Sequence, residues 1–197
     1  MINIVLFGPL GSGKGTQAKK IADKYGFIHF STGELLREEI RKQTKIGKKI
    51  KSIVNSGALV PDDIMEEIVE NFLKENCNTK GIIFDGFPRT LRQAKMPDEE
   101  LEKYNLLLDL IIKLDVPEEI IKSHLLYRAQ KEGRTDDNEA IISKRLKYYY
   151  RDTLPVLDYY KQTNKNIVSI CGHRDVDIVF NDICLHIDKI LLQKMQI

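Results

Sequence analysis

No stretch of the chain approaches the ~20 consecutive apolar residues of a membrane span, and neither sign of charge dominates. Of 197 residues, 31 are Lys or Arg and 29 are Asp or Glu, a net charge of +2. Such a balance argues against a general role on nucleic acid or on an anionic membrane, so any basic surface has to be local. Cysteine is scarce: Cys77, Cys171 and Cys184 are scattered and form no C-x-x-C pair. That rules against a disulfide framework and a four-cysteine zinc site, and leaves them as small apolar residues. His29, His124, His173 and His186 lack metal-ligand spacing and read as structural or surface residues. There is no internal repeat, low-complexity tract or flexible linker, so a single α/β domain is expected. The N-terminal apolar run is too short for a signal peptide and has no basic segment before it, so the expected location is the cytoplasm.

What is present begins at that run. Ile2-Asn3-Ile4-Val5-Leu6-Phe7 leads into Gly8-Pro9-Leu10-Gly11-Ser12-Gly13-Lys14-Gly15-Thr16, and a helical repeat follows through Ala18, Ile21, Ala22 and Tyr25 to a terminating Gly26. Strand, glycine loop and helix in that order are the context of a phosphate-binding loop. The glycines let backbone N–H groups turn inward around an anion, and the helix adds roughly half a positive charge at its N-terminus. Lys14 can then reach the β- and γ-phosphates. Further on, Phe27-Ile28-His29-Phe30 reads as a short strand, and Ser31 or Thr32 as the cap of a helix over 35–43. From Thr44 to Asn71 helical patterns broken by Gly47, Gly57 and Pro61 read as a small helical insertion. Gly81-Ile82-Ile83-Phe84-Asp85, Leu110 to Leu114 and Asn166 to Ile170 are continuous apolar strands of the kind covered on both faces. A last helix, roughly Val176 to Gln193, lines up Val179, Ile183, Ile187, Ile190 and Leu191 on one core face. Short strands alternating with helices predict a five-stranded open parallel sheet in a three-layer α/β/α fold, with right-handed crossovers and ligands at the carboxyl ends of the strands. The tyrosines Tyr148-Tyr149-Tyr150 and Tyr159-Tyr160 read as packing residues, because neighbours on a helix point in different directions.

Phosphoryl transfer needs cations and N–H donors around the moving group. Arg37 follows Ser31-Thr32-Gly33-Glu34-Leu35-Leu36, Arg89 closes Asp85-Gly86-Phe87-Pro88, and Arg128, Arg134 and Arg145 lie along one later stretch around Gly133 and Asp136-Asp137-Asn138, positions no core would want. Asp85 ends a buried strand, where a carboxylate can hold Mg²⁺ together with the hydroxyl of Thr16, directly or through water. The hydroxyl one place after Gly15, in Gly13-Lys14-Gly15-Thr16, is typical of nucleoside monophosphate kinases. With Gly8 to Gln17, the blocks Ser31 to Arg37, Leu59-Val60-Pro61-Asp62, Asp85 to Thr90 with Gln93, and Gly133 to Asn138 occur in order over nearly the whole chain and resemble the adenylate kinase family.

That resemblance implies that Gly11, Ser12, Gly13, Lys14, Gly15 and Thr16 hold the ATP phosphates, that Arg128 reaches ATP, and that the Gly172 carbonyl meets its adenine. It implies an AMP site of Thr32, Arg37, Ala58, Leu59, Val60, Gly86, Phe87, Pro88, Arg89 and Gln93, with Arg134 and Arg145 clamping phosphates. The catalytic set would be Lys14, Asp85, Arg89, Arg128, Arg134 and Arg145. Residues 31–60 would form a mobile AMP-binding region and 127–137 a lid on a core of 1–30, 61–126 and 138–197. Only five residues separate Arg128 from Arg134, which resembles the short-lid form and leaves no room for a zinc site. A monomer working on ATP, AMP and ADP with Mg²⁺, without nucleic acid, membrane or zinc, follows from the resemblance. Leu10 departs from the small residue or proline common at its position.

Thr32 and Gln93 suit an adenine, since an amide can pair with its N6/N1 edge; relatives that act on UMP or CMP tend to carry Ala and Asn in place of Thr32 and Thr90. A missing buried hydrogen bond costs about 1–3 kcal/mol, so AMP is favoured. A GTP-binding switch protein is the rival reading, but Asn164-Lys165-Asn166-Ile167 has Ile where a guanine-reading motif needs Asp. A non-catalytic scaffold would leave gaps among Lys14, Asp85 and the arginines, and there are none.

Overall fold

A computed structural model describes residues 1–76, 78–95, 107–132 and 138–196. Five parallel strands, β1 (Ile2–Phe7), β2 (Ile28–Ser31), β3 (Gly81–Asp85), β4 (Leu108–Asp115) and β5 (Ile167–Cys171), lie in the order β2-β3-β1-β4-β5. After β1 the chain runs out to the edge strand β2, returns inward to β3 beside β1, then crosses to the other side for β4 and β5. The carboxyl end of β1 is therefore the place where the order reverses, and open sheets leave a crevice there.

Alternation along the strands divides the apolar side chains between two faces. Ile2, Ile4 and Leu6 of β1 join Ile83, Leu110 and Ile112 against Ala18 and Ile21 of α1 (Lys14–Tyr25) and Val179, Ile183, Ile187 and Ile190 of α8 (Val176–Met195). On the opposite face Val5, Phe7, Phe30, Ile82, Phe84 and Ile111 pack on Ile50 of α3 (Lys45–Asn55), on Met65, Val69 and Leu73 of α4 (Asp62–Asn76), and on Val156, Leu157 and Tyr160 of α7 (Val156–Gln162). A third cluster, Ile121 and Leu125 of α5 (Glu118–Glu132) with Ile142 and Leu146 of α6 (Glu139–Tyr148), receives Leu10 from the glycine loop. The expected α/β/α layering is present, and the odd residue Leu10 is a packing anchor.

Three local features position the cleft. Ser31 caps α2 (Thr32–Arg41), its hydroxyl accepting from the Glu34 N–H at 3.4 Å. Gly47 does not break a helix: it lies within α3, where an added Cβ would stand 2.0 Å from the Glu39 carbonyl oxygen. It is the contact point that lets α3 cross close to α2. Gly57, with φ of 72°, ends α3 in the left-handed conformation that favours glycine. Between α6 and α7 the chain makes one π-helical turn, Tyr149–Thr153, of the kind often found at functional sites. Among the described residues no helix is long and apolar enough to cross a membrane.

Candidate active site

The carboxyl ends of β1, β3 and β5 open into one cleft of about 940 Å³. Its centre is the loop between β1 and α1. Gly11 and Gly13 take positive φ (76° and 90°), and Gly13 leads directly into α1, so the loop wraps round the helix N-terminus. Lys14 crosses the loop: its Nζ donates to the carbonyls of Gly8 (2.8 Å) and Pro9 (2.7 Å). Burial pushes the Lys14 pKa down to about 8, against the pull of Asp85 and with the push of Arg89 and Arg128.

Asp85, at the end of β3, faces the loop; a Cβ on Gly15 would lie 3.5 Å from its Oδ2. His29 of β2, one strand over, brings Nε2 to 3.4 Å from the same oxygen. Burial opposes the Asp85 charge, but His29, Lys14 and Arg89 outweigh it and hold the carboxyl below its ordinary range. Asp85, half-buried and held ionised, and the exposed Thr16 line the same cleft and offer oxygen donors only, the kind that suits Mg²⁺.

Arg89 follows the turn after β3. Its Nε donates to the Gly86 carbonyl at 2.7 Å, its N–H donates to Gln93 Oε1 at 2.7 Å, and its carbonyl accepts from the Thr153 hydroxyl at 2.9 Å. The π-helical turn thus reaches across to fix Arg89. Desolvation in the cleft lowers the Arg89 pKa, Asp85 opposes this, and Arg145 and Arg37 add to it, so the three guanidinium groups share one neighbourhood. Gly86, with φ of 80°, permits the turn: a Cβ there would stand 2.5 Å from Thr32 Oγ1 and 2.8 Å from Arg89 Nη2. Thr32 is buried and donates its hydroxyl hydrogen to the Gly86 carbonyl at 3.0 Å.

Every binding, catalytic or metal-site residue that the resemblance implies lines this one cleft except Arg134, which lies outside the described residues with Gly133 and Thr135 to Asp137. Gly11 to Thr16, Arg128 and Gly172 are among the lining, as are Thr32, Arg37, Ala58 to Val60, Gly86 to Pro88, Gln93, Asp85, Arg89 and Arg145. Thr32 follows β2 at one edge of the sheet and Gly172 follows β5 at the other. Cys77 also falls outside the described residues; Cys184 is buried and Cys171 half-buried.

Several lining residues carry no sequence signal. Tyr148 and Tyr149 border the cleft, and Tyr149 also packs on Phe7. His124 of α5 points its Nδ1 to the Gly11 carbonyl at 3.2 Å, and His173 follows Gly172. Spacing alone could not reveal these histidines, because their neighbours come from distant parts of the chain. Among the described residues, eight Lys and Arg side chains line the cleft against three carboxylates, Glu34, Asp85 and Asp175. A protein with near-zero net charge has gathered its local excess of cations here, which is the electrostatic form of a polyanion site.

Residues 6–165 match the family model described as adenylate kinase. The chain is 43% identical over 190 residues to a protein named adenylate kinase from Phocaeicola vulgatus, covering 96% of this chain and all of that one. It is 42% identical to one of the same name from Bacteroides thetaiotaomicron with the same coverage. A third, from Cyanothece sp., is 38% identical over 195 residues, 99% of this chain and all of the relative.

Proposed function

Because the chain belongs to the adenylate kinase family, and is therefore a phosphotransferase acting on nucleotides, we propose that it moves the γ-phosphoryl group of ATP to AMP, giving two ADP. The observation that carries this reading is the span of the cleft: its lining runs from Thr32, after β2 at one edge of the sheet, to Gly172, after β5 at the other, with Lys14, after β1, and Asp85, at the end of β3, between them. One nucleotide would not need lining at both edges.

In this reading the loop N–H groups of Gly11 to Thr16 and the Lys14 ammonium hold the donor phosphates, while Arg128 supports them from α5. The Gly172 carbonyl accepts from the donor adenine. Thr32, Gln93 and the backbone of Ala58 to Val60 and Gly86 to Pro88 hold AMP, and Arg37 and Arg89 take its phosphate. Arg89 and Arg145 lie between the two nucleotides and neutralise charge that spreads over the transferring group in its loose transition state, a role the family resemblance also implies for Arg134, outside the described residues. Thr16 and Asp85 would hold Mg²⁺, which supplies charge neutralisation on the phosphates when bound. Transfer is direct and in line, so no covalent enzyme intermediate is needed. Residues 31–60, and the lid of 127–137 that the family resemblance implies, of which 133–137 lie outside the described residues, would close over the cleft and expel water, the competing acceptor. The enzyme would work as a cytoplasmic monomer in adenine nucleotide homeostasis and salvage.

The test is ADP formation from Mg²⁺-ATP with AMP, UMP, CMP or GMP, and with no monophosphate as blank. Turnover with AMP above all the others is expected; preference for UMP or CMP would overturn the assignment of the acceptor.

A further inference from the structure

Gln93 is 2% exposed yet lines the cleft. A carboxamide has an acceptor at one end and a donor at the other in nearly the same shape, so its partners decide which way round it sits. Here they leave no choice. The Arg89 main-chain N–H can only donate, and it gives to Oε1 at 2.7 Å. The Asp62 carboxylate, in the first turn of α4, can only accept, and Oδ1 takes from Nε2 at 2.7 Å. Thr90 closes the ring: its hydroxyl donates to the same Asp62 oxygen and accepts from the Gln93 N–H, both at 3.1 Å. Turning the amide over would set oxygen against oxygen at Asp62 and N–H against N–H at Arg89.

One hydrogen on Nε2 and one lone pair on Oε1 remain for a ligand. A 6-aminopurine offers the matching pair, an N6–H donor beside the N1 acceptor. A 6-oxopurine offers the reverse, O6 beside N1–H, and fits only a turned amide. Thr32 has the same polarity, because its hydrogen is already given to Gly86.

We propose that Asp62 is a specificity-determining residue: by fixing the Gln93 carboxamide in one orientation, it makes the acceptor site take 6-aminopurine monophosphates and refuse 6-oxopurine ones. Asp62 is not among the residues lining the cleft, so it is a positioning residue that acts through Gln93. The proposal rests on the reading of Gln93 as a base-holding residue.

The experiment compares AMP with inosine monophosphate, in kcat/KM and in equilibrium binding, for the wild type, Asp62→Asn and Gln93→Ala. An Asn side chain can turn to donate, so the Gln93 amide is freed on that side. The AMP preference should fall by about tenfold or more in Asp62→Asn, the loss of one buried polar match. Asp62→Ser, which also suits a helix start, should behave alike if the Asn variant folds poorly. Parallel losses with both monophosphates in these variants, or an unchanged ratio where Gln93→Ala lowers it, would overturn the role of Asp62. An unchanged ratio in Gln93→Ala would overturn the premise instead, and a wild type that uses neither monophosphate would overturn the proposed function.

Discussion

Lys14 holds its proton less firmly than a lysine in water. Its pKa falls from an ordinary 10.5 to about 8, because the charged form is desolvated at the bottom of a cationic cleft. Bound phosphates supply the missing counter-charge, so the effect belongs to the free enzyme. The prediction is that kcat/KM for ATP declines as pH rises through about 8, while kcat at saturation declines only at higher pH. A Lys14→Arg variant, whatever its absolute rate, should lose that alkaline limb, since a guanidinium does not titrate there. A wild-type kcat/KM flat to about pH 10 would refute the buried, depressed ammonium. Stability follows the same proton: between about 8 and 10.5 the unfolded chain holds it and the folded chain does not, so this group's contribution to stability rises with pH. Lys14, Asp85 and Arg89 were legible in the sequence because phosphoryl transfer demands those residue types at fixed distances from a glycine loop or a strand end. His29, Asp62 and Thr153 were not, because each acts on a partner brought close only by the fold.

At the scale of elements, Gly47 shows how the same residue can carry two meanings. Read along the chain it looked like a helix break; in the fold it is the bare surface on which α3 crosses α2. Gly47→Ala would place a methyl group against rigid backbone at Glu39, and overpacking of that kind costs about 1–3 kcal/mol. Thermal unfolding should shift downward by roughly 2–4 °C for each kcal/mol lost. An unchanged melting temperature would mean that the two helices are not held in this contact. Strands and the last helix were readable from apolar runs and period, since burial on both sheet faces or on one helical stripe imposes those patterns. The π-helical turn was not: its tyrosine-rich sequence reads like ordinary helix, and the partners it meets, Phe7 for Tyr149 and the Arg89 carbonyl for Thr153, come close only in the fold.

For the molecule as a whole, the apolar strands announced a parallel sheet but not which strands would be neighbours. The order β2-β3-β1-β4-β5 puts β3 and β4 on either side of β1, and thereby sets Asp85 beside the glycine loop. Local charge follows from this topology: a chain with net charge +2 concentrates its cations where the strands end. The proposed reaction is direct transfer between two nucleotides held in that one cleft, and phosphorus NMR of the wild type with Mg²⁺-ATP, with and without AMP, follows both products. Two ADP should form for each ATP consumed when AMP is present, with no inorganic phosphate and no change without AMP; release of inorganic phosphate from ATP alone would rule out direct transfer.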